Sequence, residues 1–448
     1  MAVVNSPAPN TPYFTPEQSP PVGTALEPSP TTPVLFTPLS IRDVTFQNRI
    51  WVAPMCQYSA EDGHLTDYHL VHLSSFGFKG ASLTIIEATS VLPNGGITPQ
   101  DAGLWKDSQI APIKRISTFF HVRCLNLLGT SRFPLSVGKS ANNHLQSQGQ
   151  KLGIQLAHAG RKASTSAPWT VQERGQTITA TKDVGGWPDD VMGPSAIKWG
   201  EGYPEPREMS AQDIVDVITG FRDSARRAVE AGIDVIEIHA AHGYLLSSFL
   251  SPLSNTRTDS YGGSFENRIR ILIEIIKVIR EVVPKGMPLL VRVSGTEWME
   301  QLEKDSWDVP STIKLAKLLP ALGVDLLDVS SGGNNERQHL SPFNDRQISI
   351  AGQIRSALYE AGIKDLLIGA VGMITEAEQA KEVLEKTVGE GVEIQDEQGS
   401  LAKADVVLVA RQFLREPEWV TRVAYRLGVK IKWPVQYERA QFLRGSKI

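Results

Sequence analysis

From residue 34 onward the chain alternates short apolar runs with longer amphipathic ones. The apolar runs span residues 50–55, 82–89, 152–158, 235–240, 289–294, 326–330, 366–370 and 406–410. Most are apolar at nearly every position, the pattern of parallel strands covered on both faces. Between them the period changes to that of a helix. Ser210 with Asp213 three residues later reads as a capping box. Ile214, Val217, Ile218, Phe221, Ala225 and Ala228 then form one apolar face, and Gly232 ends it. A second helix places Ile269, Leu272, Ile273, Ile276 and Ile279 on one side. A third takes Pro417 into its first turn, runs through Trp419, Val420, Val423 and Leu427, and stops at Gly428. Eight strands, each followed by a helix or a long loop, predict an α/β fold of the (β/α)8 TIM-barrel type. A doubly wound open sheet would carry a GxGxxG turn after its first strand, and nothing like it follows Met55.

Residues 1–33 break the pattern, with nine of the 28 prolines. So little apolar surface cannot offset the entropy of ordering, which predicts a disordered Pro-rich tail. A polyproline docking peptide is the alternative, but no PxxP cluster with basic flanks supports it. The expected organisation is tail 1–33, barrel 34–440 and a C-terminal tail at 441–448. Composition narrows the function. Across 448 residues, 45 Lys and Arg against 49 Asp and Glu leave a net charge of −4. No basic excess draws the chain to nucleic acid or an anionic membrane. Two cysteines, Cys56 and Cys124, exclude a disulfide framework or a cysteine-rich zinc scaffold. With no long apolar span and no secretory leader, a soluble cytoplasmic enzyme is expected.

In such a barrel the chemistry sits at the C-terminal strand ends. Those ends carry Pro54-Met55-Cys56, Glu87-Ala88-Thr89, Gln155 with His158, the run His239 to Tyr244, Arg292, Ser330 to Gly333, Gly369 to Gly372, and Ala410-Arg411. The glycine-rich end of strand seven and the arginine ending strand eight suit a phosphate, which backbone N–H groups and a guanidinium bind well. For His239 and His242 three readings stand: a metal pair without an obvious third ligand, two structural histidines, or two donors to an anionic or carbonyl oxygen beside the proton donor Tyr244. The neighbouring residues support the third.

Several segments together resemble one family. They are Asn48-Arg49-Ile50-Trp51-Val52-Ala53-Pro54-Met55-Cys56-Gln57-Tyr58-Ser59, Gln155-Leu156-Ala157-His158-Ala159-Gly160-Arg161-Lys162, the HAAHGYL run from His239, and Ser251-Pro252 through Asn255, Arg257, Asp259, Tyr261-Gly262-Gly263-Ser264 and Asn267-Arg268. Gly369 to Ile374 and Pro434 to Arg439 complete the set. The chain resembles the Old Yellow Enzyme family of FMN-dependent ene-reductases, in its thermophilic-like branch. The resemblance implies hydride transfer from NADPH or NADH, through FMN, to an alkene conjugated to a carbonyl. It implies that Ala53, Pro54, Met55 and Cys56 line the flavin, that Ala88, Gln155 and Arg292 bind its ring edge, and that Gly372, Ala410 and Arg411 hold its phosphate. His239 and His242 would hold the substrate carbonyl, Tyr244 would protonate the substrate, and Tyr58 would line its pocket. Arg439 would complete the site of a neighbouring subunit, which implies a homodimer or a pair of dimers.

Two departures stand out. Ala410 replaces the glycine that more often precedes the phosphate arginine. Residues 122–146 also separate a helix from strand three, where family members pass almost directly into a segment like Ser147 to Lys151. That stretch reads either as a surface insertion or as a translated intron. Its 25 codons make 75 nucleotides, its ends Val122 and Gln146 admit GT and AG, and Ala141-Asn142 admits a branch-point sequence. Two competing functions remain: a metal-dependent hydrolase or lyase using the His239/His242 pair, and a flavin barrel kept for binding or isomerisation.

Overall fold

The computed structural model describes all residues except 1–4, 6, 9–12, 122–148, 176, 303–304, 340–345, 389–390, 394–401 and 443–448. Among the described residues, eight parallel strands close into a barrel in chain order. They are β1 (Ile50–Val52), β2 (Leu83–Ser90), β3 (Lys151–Ala157), β4 (Val235–Ala240), β5 (Leu289–Ser294), β6 (Leu326–Ser330), β7 (Leu367–Val371) and β8 (Val406–Val409). Pairing of Leu408 on β8 with Trp51 on β1 closes the ring. A principal helix follows each strand: α1 (Asp67–Gly77), α2 (Ile110–Phe120), α3 (Ala211–Ala231), α4 (Phe265–Val282), α5 (Val309–Ala316), α6 (Arg346–Glu360), α7 (Ala377–Leu384) and α8 (Trp419–Arg426), with shorter helices in some of the intervening loops. The fold expected from the periodicity is therefore the fold observed.

Local chemistry explains the boundaries. The N–H of Asp213 donates to Ser210 Oγ (3.2 Å) and that of Ser210 to Asp213 Oδ2 (2.7 Å), so α3 starts with a reciprocal cap. Gly232 ends it in the left-handed region, at φ +88°. On α4 the buried face is Ile269, Ile271, Leu272, Ile275, Ile276 and Ile279, with Ile273 only half-buried. It is rotated slightly from the expected one. Pro417 lies just before α8 and Leu427 caps its end.

The barrel interior is graded. At the N-terminal strand ends Trp51, Leu83, Val235, Leu290, Leu326 and Leu408 form an apolar layer. A hairpin, Leu39–Ile41 with Val44–Phe46, plugs that end, and the Phe46 ring lies 4.7 Å from that of Trp51. Toward the opposite end the strands carry Gln155, Glu237, Arg292 and Asp328, all buried.

The expected N-terminal tail is corrected for its second half. Gly23 and Leu26 donate backbone hydrogen bonds to Lys432 O and Lys430 O (both 2.9 Å), and Lys432 donates to Thr24 O (2.8 Å). Val22 is fully buried, and its carbonyl accepts from the side-chain amides of Gln47 and Gln150. The segment is ordered because the C-terminal strand-like run supplies partners for its backbone. Most of residues 1–12, the whole stretch 122–146 and residues 443–448 lie outside the described residues.

Candidate active site at the barrel mouth

The end of β4 and the loop after it carry the histidine pair, His239 on the strand and His242 beyond it. The His239 and His242 rings stand 5.2 Å apart, nearly perpendicular, and the Tyr244 ring lies 5.0 Å from that of His239. The N–H of Ala241 donates to His239 Nδ1 at 3.3 Å. A neutral ring therefore carries its proton on Nε2 and offers it as a donor. His242 has φ +61° and its Nε2 is 2.6 Å from Ser330 Oγ; that oxygen accepts from Gln347 (2.9 Å), so its own proton can point to His242 Nε2 and leave the ring proton on Nδ1. Burial and the nearby Arg292 charge hold both histidines well below their usual pKa, so both rings are neutral N–H donors. Burial, then Cys56 and Tyr58, push the Tyr244 hydroxyl well up, so it remains protonated.

A polar scaffold fixes this loop. Asn255 Nδ2 donates to Phe249 O and Tyr261 O (both 2.8 Å). Arg257 donates to Met209 O (2.6 Å) and Pro194 O (2.9 Å) and pairs with Asp259. Arg268 donates to Leu250 O (2.8 Å). The run from Ser251 to Arg268 thus locks the short helix Leu245–Leu250 that follows Tyr244. Lys162 adds a second lock. Its Nζ donates to His242 O (3.0 Å) and Gly333 O (3.2 Å) and lies 4.8 Å from the ring centroids of both Trp199 and Tyr244. Burial, then Arg161, push this ammonium down to about 7.

On the facing side, the loop after β1 holds Cys56 and Tyr58. The Gln57 N–H donates to Glu87 Oε1 (2.9 Å) from β2, and Glu87 sits 3.5 Å from His69 Nε2. Burial, then Asp101 and Glu87, push the Cys56 thiol well up, so the group is a thiol rather than a thiolate. Tyr58 has φ +49°, and its ring meets the edge of Trp169 at 5.6 Å. The two line a cavity of about 320 Å³.

The ends of β7 and β8 enclose another cavity of about 240 Å³, lined by Gln347, Gly372, Ala410 and Arg411. Gly372 adopts φ +133°, and a Cβ there would sit 2.8 Å from Gln347 Oε1. Only glycine leaves the backbone open at this point. Arg411 Nη2 meets the weak acceptor Met373 Sδ at 3.7 Å. An open backbone cradle beside a guanidinium fits a phosphate, and the buried cation Arg292 fits an electron-rich ring edge.

A model of the NADH:flavin oxidoreductase / NADH oxidase family matches residues 34–122 and 139–429. The chain belongs to this family. It is 44% identical over 451 residues to an NADH:flavin oxidoreductase of Gibberella zeae, spanning 99% of this chain and 97% of that one. It is 38% identical over 407 residues to an NADPH dehydrogenase of Bacillus subtilis, spanning 90% and 98%. Among solved structures, morphinone reductase shares the fold at TM-score 0.63 and 23% identity, over 94% of this chain and 96% of that one. A 2-naphthoyl-CoA reductase complex shares it at TM-score 0.68 and 21% identity, over 88% of this chain and 52% of that larger one. The family is that of the Old Yellow Enzyme resemblance, and the chain is an FMN-dependent NAD(P)H oxidoreductase of the ene-reductase type. This membership sets aside the metal-hydrolase reading of the histidine pair. The family match omits residues 123–138, within the stretch read as an insertion or intron. No described helix is long and apolar enough to cross a membrane.

The fold brings Cys56, Tyr58, Gln155, His239, His242, Tyr244 and Arg292 to one end of the barrel, with Gly372, Ala410 and Arg411 at its β7–β8 rim. Ala53 and Ala88 are buried at the ends of β1 and β2, and Pro54 and Met55 are half-buried. Arg439 is not among them. It lies in the exposed turn Val435–Ala440, whose contacts run to Gln18, Phe78 and Lys432. Sequence reasoning gave no role to Lys162, Gln347, Glu237 or Asp328. The last two were detectable as polar residues two positions before inward-facing site residues on β4 and β6.

Proposed function

We propose that the barrel mouth reduces the C=C bond of an alkene conjugated to a carbonyl, with His239 and His242 donating hydrogen bonds to the carbonyl oxygen and Tyr244 giving a proton to the α-carbon. FMN, when bound, supplies the hydride that NAD(P)H provides. Ala53, Pro54, Met55 and Cys56 would line the cofactor, with Ala88, Gln155 and Arg292 at its ring edge and Gly372, Ala410 and Arg411 at its phosphate. Charge accumulating on the substrate oxygen is met by two neutral N–H donors already fixed in place, so little reorganisation is needed as it develops. Tyr58 walls the substrate pocket. The single observation that carries the reading is the His239 and His242 rings, 5.2 Å apart, with the Tyr244 ring 5.0 Å from His239.

Arg439 and the turn around it support a further proposal, that this segment enters a neighbouring subunit's site in a homodimer or pair of dimers. Its own contacts leave the side chain exposed.

His239→Ala and His242→Ala test the core of the reading in stopped flow. Each is expected to slow flavin reoxidation by an enone while leaving its reduction by NADPH much less affected. By analogy with deleted oxyanion donors, each costs about 2.7–4 kcal/mol of transition-state stabilisation. Equal slowing of both half-reactions would remove the histidines from substrate binding.

A further inference from the structure

We propose that Glu237 and Asp328 share one proton inside the barrel, and that this proton keeps the positive charge of Arg292 available to the cofactor edge. Three neighbouring strands bring the groups together. Glu237 lies on β4, Arg292 on β5 and Asp328 on β6, with Arg292 and Asp328 in register. Both carboxyl groups are fully buried. Gln155, from β3, donates to Glu237 Oε1 at 2.7 Å, and Arg292 Nε lies 3.0 Å from Asp328 Oδ2. Glu237 Oε2 and Asp328 Oδ1 find no hydrogen-bond donor, and the two carboxyl groups meet each other.

Charge counting decides what such a cluster must hold. Two carboxylates and one guanidinium carry a net charge of −1. They sit above an apolar plug, where two adjacent carboxylates cannot both stay ionised. One proton neutralises the cluster and supplies the missing donor. The groups facing the pair are Gln155 from β3, Arg292 from β5 and each other. Burial raises both carboxyl groups; the Asp328 charge adds to it at Glu237, pushed up to about 8, whereas Arg292 and a hydrogen bond from Glu237 favour Asp328 as the one remaining anion. With the proton present, Arg292 is balanced by one carboxylate. Without it, the guanidinium is outweighed and the ring edge faces net negative charge. Reduction, which adds electron density at that edge, is then opposed. Glu237 and Asp328 are thus positioning residues, acting through Arg292. The second half of the proposal rests on Arg292 as the partner of FMN.

The test has two arms. Infrared spectra of the flavin-free protein at pH 6 are expected to show a buried carboxylic-acid C=O band that fades above about pH 8. Glu237→Gln and Asp328→Asn should each abolish it. Absence of any such band, or its survival in both variants, overturns the shared proton. The wild-type pH titration decides this even if neither variant folds. In the FMN-loaded protein the midpoint potential should fall more steeply above pH 8 in wild type than in Glu237→Gln, whose cluster no longer titrates. Equal slopes would overturn the link to the cofactor while the band still reported the proton. A chain that bound no FMN would instead defeat the functional reading, and the infrared arm would stand by itself.

Discussion

One added methyl group at Gly372 probes the cofactor cradle and the substrate side at once. In Gly372→Ala the residue must hold φ +133°, a region that costs a side chain on the order of 1–3 kcal/mol. The new Cβ also overlaps Gln347, with Oε1 at 2.8 Å and Cβ at 3.0 Å. Rotating Gln347 away relieves that contact but breaks its bond to Ser330 Oγ, the partner of His242, at about 0.5–1.5 kcal/mol. The sum is about 2–4 kcal/mol. At roughly 2.1 cal/mol/K of unfolding entropy per residue, 448 residues give about 0.9 kcal/mol per degree, so the melting temperature should drop by about 2–4 °C. If about half the strain falls on the backbone facing the phosphate, FMN binding weakens about five- to thirtyfold, taking about 1.4 kcal/mol per decade. Flavin-fluorescence titration and thermal unfolding read these two numbers. Adding Gln347→Ala removes the overlap but not the φ strain, so the double variant should recover only part of the loss in affinity relative to Gln347→Ala alone. Wild-type affinity and melting temperature in Gly372→Ala would refute the reasoning.

Other expectations follow from the same geometry. Arg411→Ala removes a charge-assisted phosphate contact and should weaken FMN binding by about 1.5–3 kcal/mol, read by the same titration; unchanged affinity would remove Arg411 from the cradle. Lys162 binds its proton less tightly when folded, at about 7 against 10.5, so between these values the unfolded chain holds more protons and stability rises with pH. Linkage of a single proton caps that slope at about 1.4 kcal/mol per pH unit, and Lys162→Met should flatten the wild-type increase in melting temperature from pH 7 to 9. Tyr244→Phe should retain turnover of strongly activated alkenes and lose it on weak ones, and equal rates on both would end its role as proton donor. Deleting residues 436–448 should lower enone turnover if Arg439 completes a neighbour's site; full activity from a light-scattering monomer would exclude that role.

The sequence by itself determined the layout of the barrel and most of its site. Strands covered on both faces are apolar along their length, so the bounds of β4, β5 and β6 were legible to the residue. Caps are local chemistry, and Ser210 with Asp213 and Gly232 marked both ends of α3. The site residues were legible because the fold concentrates chemistry at strand ends, and because the HAAHGYL and SP-to-NR runs carry a family resemblance. What the second run does was not legible: Asn255, Arg257 and Arg268 bind backbone carbonyls of a helix and loops that only folding brings near. The order of residues 18–33 was hidden for the same reason, since their partners at Lys430 and Lys432 lie some 400 positions away. Only the tertiary structure joined Gln347, Ser330 and His242, set Lys162 between two rings, and placed Glu237 against Asp328. Each of these depends on neighbours across strands, where the low dielectric of the barrel interior, and not the local pattern, decides which groups are charged.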